Sequence, residues 1–321
     1  IHAKYSVVDD RALVGSSNLN FRSRFRDQEA DIVVQMPQTI KRIEEKYLRY
    51  LQDSELLSPQ RYRKIHWLQI LAGKGGCSLK TVRILSYNIH KGLSQFNWRS
   101  VLEEIKEVII HSRADIVCLQ EIGVNSKALA QEFSTQLEYL ADTMWPHYAY
   151  GKNSAYTSGH HGNAVLSTWP ITQFSNIDLT VSPFEKRGML HAELQLGDNQ
   201  FLDVFCTHLN LFGLHRKKQI QLIHSYFQRH NLFEKPVALT GDFNDWTATL
   251  DSDICQSLNL QEGFYSCSGK HARTFPAWYP LLPLDRIYFR GIEAVKAQCL
   301  TDELTTALSD HLPILCEFRY G

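Results

Sequence analysis

From Thr81 onward the chain alternates between short apolar runs and longer amphipathic stretches. The runs VRILSY (82–87), DIVCLQ (115–120), NAVLS (163–167), QFLDVFC (200–206), PVALT (236–240), LDRIYF (284–289) and LPILCEF (312–318) have the length of buried strands. Between them, apolar positions recur at helical spacing. Asn97 caps a helix whose inner stripe is Trp98, Val101, Leu102, Ile105, Val108 and Ile109. A second helix runs from Ser126 to Tyr139 and a third from Gly213 to His230. Before this region, TIKRIEEKYLRYL (39–51) predicts a helix capped by Thr39, with Ile40, Ile43, Tyr47, Leu48 and Leu51 on one stripe. Ala72 to Ser78, AGKGGCS, is small and flexible and marks the boundary. The expected organisation is an amino-terminal unit at 1–72, a linker at 73–80 and a larger domain at 81–321. Strands interleaved with helices give a layered α/β or α+β sandwich.

The strands share one property: they end on polar residues suited to metals and phosphates. The run at 82–87 leads into Asn88, the run at 115–120 into Glu121 and the run at 200–206 into Thr207-His208. Pro236 to Thr240 delivers Asp242, Asn244 and Asp245, LDRIYF contains Asp285, and Asp310-His311 precedes the last strand. Each alone has an ordinary reading. Asp and Asn make turns, a lone Glu is usually a surface carboxylate, and a lone His is usually a hydrogen-bonded structural residue. Together, at strand ends on one edge of an α/β layer, they occupy the usual place for chemistry. Carboxylates and an amide oxygen suit a hard cation such as Mg2+, with Mn2+ as its substitute. Histidines beside them carry protons near neutral pH. Metal-assisted attack of water on a phosphoester needs that mixture.

Composition narrows the partners. Net charge is zero over 321 residues. It is unevenly spread: residues 1–80 hold 14 Lys+Arg against 9 Asp+Glu, and 81–321 hold the other 20 against 25. The larger domain therefore lacks the broad basic footprint of a non-specific nucleic-acid binder. Nucleic acid stays a disfavoured partner, with Arg216, Lys217, Lys218 and Arg229 able to supply part of a local basic track. The seven cysteines show no C-x-x-C spacing, and Cys118, Cys206 and Cys316 sit inside apolar runs. Reduced thiols in a cytosol-facing compartment are expected. No apolar run reaches the roughly 18 residues of a membrane span. The chain opens at Ile1 inside a motif, so it reads as a piece of a longer protein.

The pieces SYNIH (86–90), CLQE (118–121), GNAVLS (162–167), THLN (207–210), GDFN (241–244), LDRIY (284–288) and SDHLP (309–313) resemble, in order, the endonuclease/exonuclease/phosphatase superfamily. That superfamily includes DNase I-like nucleases, neutral sphingomyelinases and inositol polyphosphate 5-phosphatases. The resemblance implies a four-layer α/β sandwich of the DNase I-like type. It implies Glu121 as principal Mg2+ ligand, with Asn88 nearby and Asp310 as a further ligand. Asp242 would orient or activate water, and Asn244 would stabilise the phosphorane. His311 would be oriented by Asp310 and contact phosphate, His208 would lie opposite, and Asp285 would support the network.

Residues 1–70 carry a second resemblance. His2, Lys4 and Asp9 have the spacing H-x-K-x4-D, followed by Gly15-Ser16-Ser17-Asn18, with Glu29 beyond. This is similar to one HKD motif of the phospholipase D superfamily, its cardiolipin synthase branch in particular. That family builds a site from two such motifs, and this chain holds one. The implied half-site needs an upstream half or a second copy. A phosphatidyl transferase is the reading if that half is supplied. Fusion to such a fragment tilts the substrate toward phospholipid and the location toward peripheral contact at the inner face of a membrane.

One loop bears on that contact. HARTFPAWYPLLPLD (271–285) carries Phe275, Trp278, Tyr279, Leu281 and Leu282 among Pro276, Pro280 and Pro283. Prolines this dense exclude a regular helix or central strand. Its apolar side chains either cover the core or stand exposed at the mouth of the site, where Trp and Tyr suit a membrane interface.

Overall fold

A computed structural model of the chain describes residues 4–8, 11–15, 31–34, 80–94, 100–123, 136–141, 144–156, 159–183, 185–302 and 305–321. The chain divides into two units, Ile1–Lys74 and Gly75–Gly321. In the first, β1 (Lys4–Val8), β2 (Arg11–Gly15) and β3 (Asp31–Val34) form a three-stranded antiparallel sheet in that order. Lys4 lies on β1. His2, Asp9, Asn18, Glu29 and the helix expected at 39–51 lie outside the described residues.

The second unit runs β4 (Lys80–Asn88), α1 (Leu102–Ser112), β5 (Ile116–Gly123), α2 (Gln136–Ala141), β6 (His147–Tyr156), β7 (Gly159–Ser167) and β8 (Ile171–Asp178). It continues with β9 (Gly188–Gly197), β10 (Gln200–His208), α3 (Gly213–Arg229), β11 (Val237–Asp242), α4 (Thr249–Ser257), β12 (Gln261–Glu262) and α5 (Gly263–Ser268). It closes with β13 (Asp285–Arg290), β14 (Glu293–Cys299), α6 (Thr305–Leu308) and β15 (Ile314–Tyr320).

Two six-stranded mixed sheets result, in the orders β14-β15-β4-β5-β7-β6 and β12-β13-β11-β10-β9-β8. Each has one parallel pair at its centre, β4 with β5 and β10 with β11. The core shows how they stack. Ile84, Ile116 and Val165 of one sheet pack with Leu190, Val204, Ala238 and Ile287 of the other. Successive side chains point to opposite faces, so Leu85, Val117 and Leu119 turn outward and meet Leu102, Ile105 and Ile109 of α1. Phe205 and Leu239 likewise meet Ile220, Ile223 and Phe227 of α3 and Ile254 of α4. Helix, sheet, sheet, helix make four layers. Because both faces of the central strands are covered, those strands read as unbroken apolar runs.

Several boundaries differ from the sequence reading. The first helix starts at Leu102 with Val101 as its cap, and Asn97 lies outside the described residues. The helix expected over 126–139 is described only as Gln136–Ala141. In the second unit, strands β6, β8, β9, β12 and β14 were not expected. β8 and β14 are edge strands with exposed polar side chains, so neither presents an apolar run. The 271–284 segment is irregular, as its prolines require, with a single bridge between Phe275 and Leu282.

Candidate active site

Register brings the site together. Asp242, the last residue of β11, sits beside His208 on parallel β10 and opposite Asp285 on antiparallel β13. Three neighbouring strands thus present their site residues at one end of one sheet. The other sheet supplies Asn88 at the end of β4, whose Nδ2 donates to Asp242 Oδ2 at 3.1 Å. His208 Nε2 lies 3.3 Å and His311 Nε2 3.6 Å from the same oxygen. Both sheets therefore converge on one buried carboxylate.

The far side of His311 is fixed by Asp285, whose Oδ2 lies 2.7 Å from Nδ1. The sequence reading expected Asp310 to orient this ring. Asp310 Oδ1 instead lies 3.3 Å from Ser309 Oγ, while its carbonyl holds the loop residue Ala277. Ser309 Oγ also donates to the Asn88 carbonyl at 2.7 Å, tying the loop before β15 to the end of β4. Phe275 lies against the His311 ring, with centroids 5.0 Å apart.

Burial and charge set the protonation states. Burial pushes His208 well below the usual imidazole range, and nearby Arg187 and His311 push the same way, so it is neutral. His311 is equally buried, which alone would lower its pKa, but Asp285 and Asp242 outweigh burial and raise it to about 10. Burial raises the Asp242 carboxyl, with Asp285 adding to the rise and His311 opposing it.

Glu121 enters from β5 in a strained conformation. Its φ is 57°, where a non-glycine residue is uncommon, and the β5–β7 register shifts between Leu119 and Ile122. The expected strand end is thus a bulge inside a longer strand. The bulge aims Glu121 inward, with Oε1 3.9 Å from His208 Nδ1. Asn244 follows the end of β11 with φ 51°; its N–H donates to Asp242 Oδ1 at 2.9 Å and its Nδ2 to the Leu209 carbonyl at 2.9 Å. G-D-F-N is therefore both a turn and part of the site. Asp245, expected to project with them, is turned into the core, where it pairs with fully buried Arg286 at 3.1 Å and accepts from Leu250 N at 2.9 Å.

The structure adds three residues that the motifs did not single out. Asn210 is buried, and its Nδ2 donates to Glu185, which also pairs with Arg187. Asn210 stood in THLN without a role, and Glu185 and Arg187 stand in a loop with no motif around them.

A cation fits this donor set. One buried oxygen of this set, Asp285 Oδ1, has no hydrogen-bond partner, and oxygen donors suit a hard divalent ion. Asp242, Asp285 and His311 place one ligand atom each within 4.8 Å of one another, a group able to hold a metal. It differs from the expected set of Asn88, Glu121 and Asp310. Both ends of the Asn88 amide are engaged, since Oδ1 accepts from His90 N at 3.1 Å while Nδ2 holds Asp242.

A two-sheet sandwich with carboxylates, amides and histidines gathered at one end defines a class, and comparison with known proteins agrees. The Endonuclease/Exonuclease/phosphatase family pattern matches residues 85–311, and the chain belongs to that family. Among curated proteins it is 39% identical over 243 residues to the uncharacterized protein YbhP of Escherichia coli (strain K12), covering 74% of this chain and 96% of that one. Among solved structures it resembles an endonuclease/exonuclease/phosphatase from Beutenbergia cavernae, with TM-score 0.64, 19% identity and coverage of 75% and 72% of the two chains. It also resembles the human Nocturnin catalytic domain with bound sulfate, with TM-score 0.59, 20% identity and coverage of 75% and 97%.

Proposed function

We propose that the chain is a Mg2+-dependent phosphodiester hydrolase acting on a lipid or a lipid-derived substrate. The observation that carries the hydrolytic reading is the convergence of Asn88, His208 and His311 on Asp242 Oδ2. Glu121, with Asp310, would hold Mg2+, with Mn2+ able to replace it, while the engaged Asn88 amide would steady Asp242. When bound, the ion supplies positive charge to the phosphoryl oxygens. The protein residues do the rest. Asp242 has a raised affinity for protons and takes one from water as the water oxygen bonds to phosphorus. The phosphorus–oxygen bond to the leaving group breaks, and charged His311, steadied by Asp285, gives its Nε2 proton to that oxygen. Asp242 can then return its proton to His311 across 3.6 Å, which closes the cycle. The Asn244 amide, held by Leu209, offers its second N–H to the developing charge. Neutral His208 contacts phosphate from the opposite side.

The lipid preference rests on the 20-against-25 balance of residues 81–321, a poor match to a polyanionic duplex. It also rests on the HKD-like segment at His2, Lys4 and Asp9. The test is Mg2+-dependent turnover of DNA, RNA, sphingomyelin, phosphatidylglycerol and inositol phosphates, with a Glu121→Gln variant alongside. The variant is expected to fold normally and to need roughly ten- to a hundredfold more Mg2+. Full activity and metal dependence in Glu121→Gln would remove Glu121 from the site. Preferred turnover of nucleic acid would replace the lipid reading.

A further inference from the structure

Resting on the lipid reading above, we infer that three apolar rims around the site mouth form one docking surface for an anionic bilayer. The first follows His208-Leu209-Asn210: Leu211, Phe212 and Leu214 are 50%, 66% and 78% exposed. The second follows Asn244-Asp245: Trp246 is 45% exposed. The third is the proline-rich loop anchored by Ala277 N to the Asp310 carbonyl, where Trp278, Tyr279 and Leu281 are 59%, 60% and 49% exposed.

These rims are built into the site. Buried Arg216 stacks on the Trp246 ring at 5.1 Å and donates to the Leu211 carbonyl at 2.5 Å, so one guanidinium clamps the first two together. The same side chain lies 3.9 Å from Asp245 in the core. The third rim rests on the site through Phe275 and the His311 ring. Large apolar side chains held outward on rigid loops beside a catalytic mouth mark an interaction surface.

Charge chooses the occupant. Segments 211–218, 246–249 and 275–284 contain no Asp or Glu, and exposed Lys217 and Lys218 lie one turn beyond Leu214. Apolar tips with lysines behind them suit an anionic bilayer: Trp and Tyr enter the headgroup layer while lysines meet lipid phosphate. A single-stranded nucleic acid would need cations interleaved with the rings, and 275–284 has none. Docked this way, the mouth lies in the plane of the headgroups.

The test is co-sedimentation of the full chain with phosphatidylglycerol/phosphatidylcholine vesicles, without metal so that hydrolysis plays no part. Phe212→Ser with Leu214→Ser, and separately Trp278→Ser with Leu281→Ser, are expected to weaken binding at least about tenfold each. Mg2+-dependent turnover of soluble bis(p-nitrophenyl) phosphate and the melting temperature should stay at wild-type values. Quenching of wild-type tryptophan fluorescence by brominated lipid, expected to be strong, reads the same contact without any substitution. Wild-type protein that ignores vesicles, or variants that bind as well as wild type, overturns the proposal. So do Trp246 and Trp278 shielded from acrylamide in the free protein, because another part of the chain or a second copy then covers the rims. Vesicle binding without lipid turnover leaves the docking surface standing and removes the lipid substrate; lipid turnover in detergent without vesicle binding does the reverse.

Discussion

His311 and His208 flank one carboxylate yet their proton affinities are pushed in opposite directions, and the difference comes from their second neighbours. His311 Nδ1 faces Asp285 at 2.7 Å, whereas His208 Nδ1 has Glu121 only at 3.9 Å and feels Arg187. In metal-free protein, ring shifts by NMR should show His311 still protonated at pH 8 and His208 neutral at pH 6. The sign for stability follows. The folded state binds the His311 proton more tightly than the unfolded chain, so its contribution is complete below about 6.5 and is lost as pH rises toward about 10. The melting temperature of metal-free wild type should therefore fall across that window, and His311→Gln should flatten the fall. An equal slope in both proteins would count against the charged ring. At this scale the sequence told which residue types gather but not who holds whom. Asp285 and Asp310 are both carboxylates near His311, one 26 residues away and one adjacent in sequence, and the nearer is not the partner. Asp245 was indistinguishable from Asp242 until Arg286 claimed it.

Among the elements, β10 and β11 position the Asp242 carboxylate, and Gly241 is what lets them approach. Its φ is +144°, and a Cβ there would stand 1.9 Å from the Thr207 carbonyl oxygen, backbone that cannot yield cheaply. Gly241→Ala should cost at least about 2 kcal/mol in urea unfolding. It should also lower activity, since it pushes Asp242 away from His208. A variant with wild-type stability would show that this register is not what holds the pair. The central strands were legible because burial on two faces leaves an apolar run and a polar stop. PVALT-G-D and QFLDVFC-T-H display both. The edges were not: β8, ITQFSNID, faces solvent along most of its length, so no periodicity marks it. The Glu121 bulge was also hidden, because strain in the backbone leaves no mark on residue type.

Across the molecule, the two units differ in charge and in how much chemistry each carries. The larger unit holds the candidate site residues, drawn from both sheets, and the family pattern falls inside it at 85–311. The smaller has one H-x-K-x4-D, with Lys4 on β1. A phosphoester transfer by a covalent His needs a second group to protonate the leaving oxygen and take the proton back. The H-x-K-x4-D segment offers one His for that pair. All turnover should then pass through the Asp242 site. The chain carrying Asp242→Asn with His311→Ala should show neither hydrolysis nor transfer on phosphatidylglycerol at concentrations where it is monomeric. The His2→Ala variant should retain wild-type turnover. Phosphatidyl transfer that survives the double substitution and disappears with His2→Ala would mean that the amino-terminal unit works as a complete site. Transfer that appears only as concentration rises would mean that two copies assemble the pair of motifs.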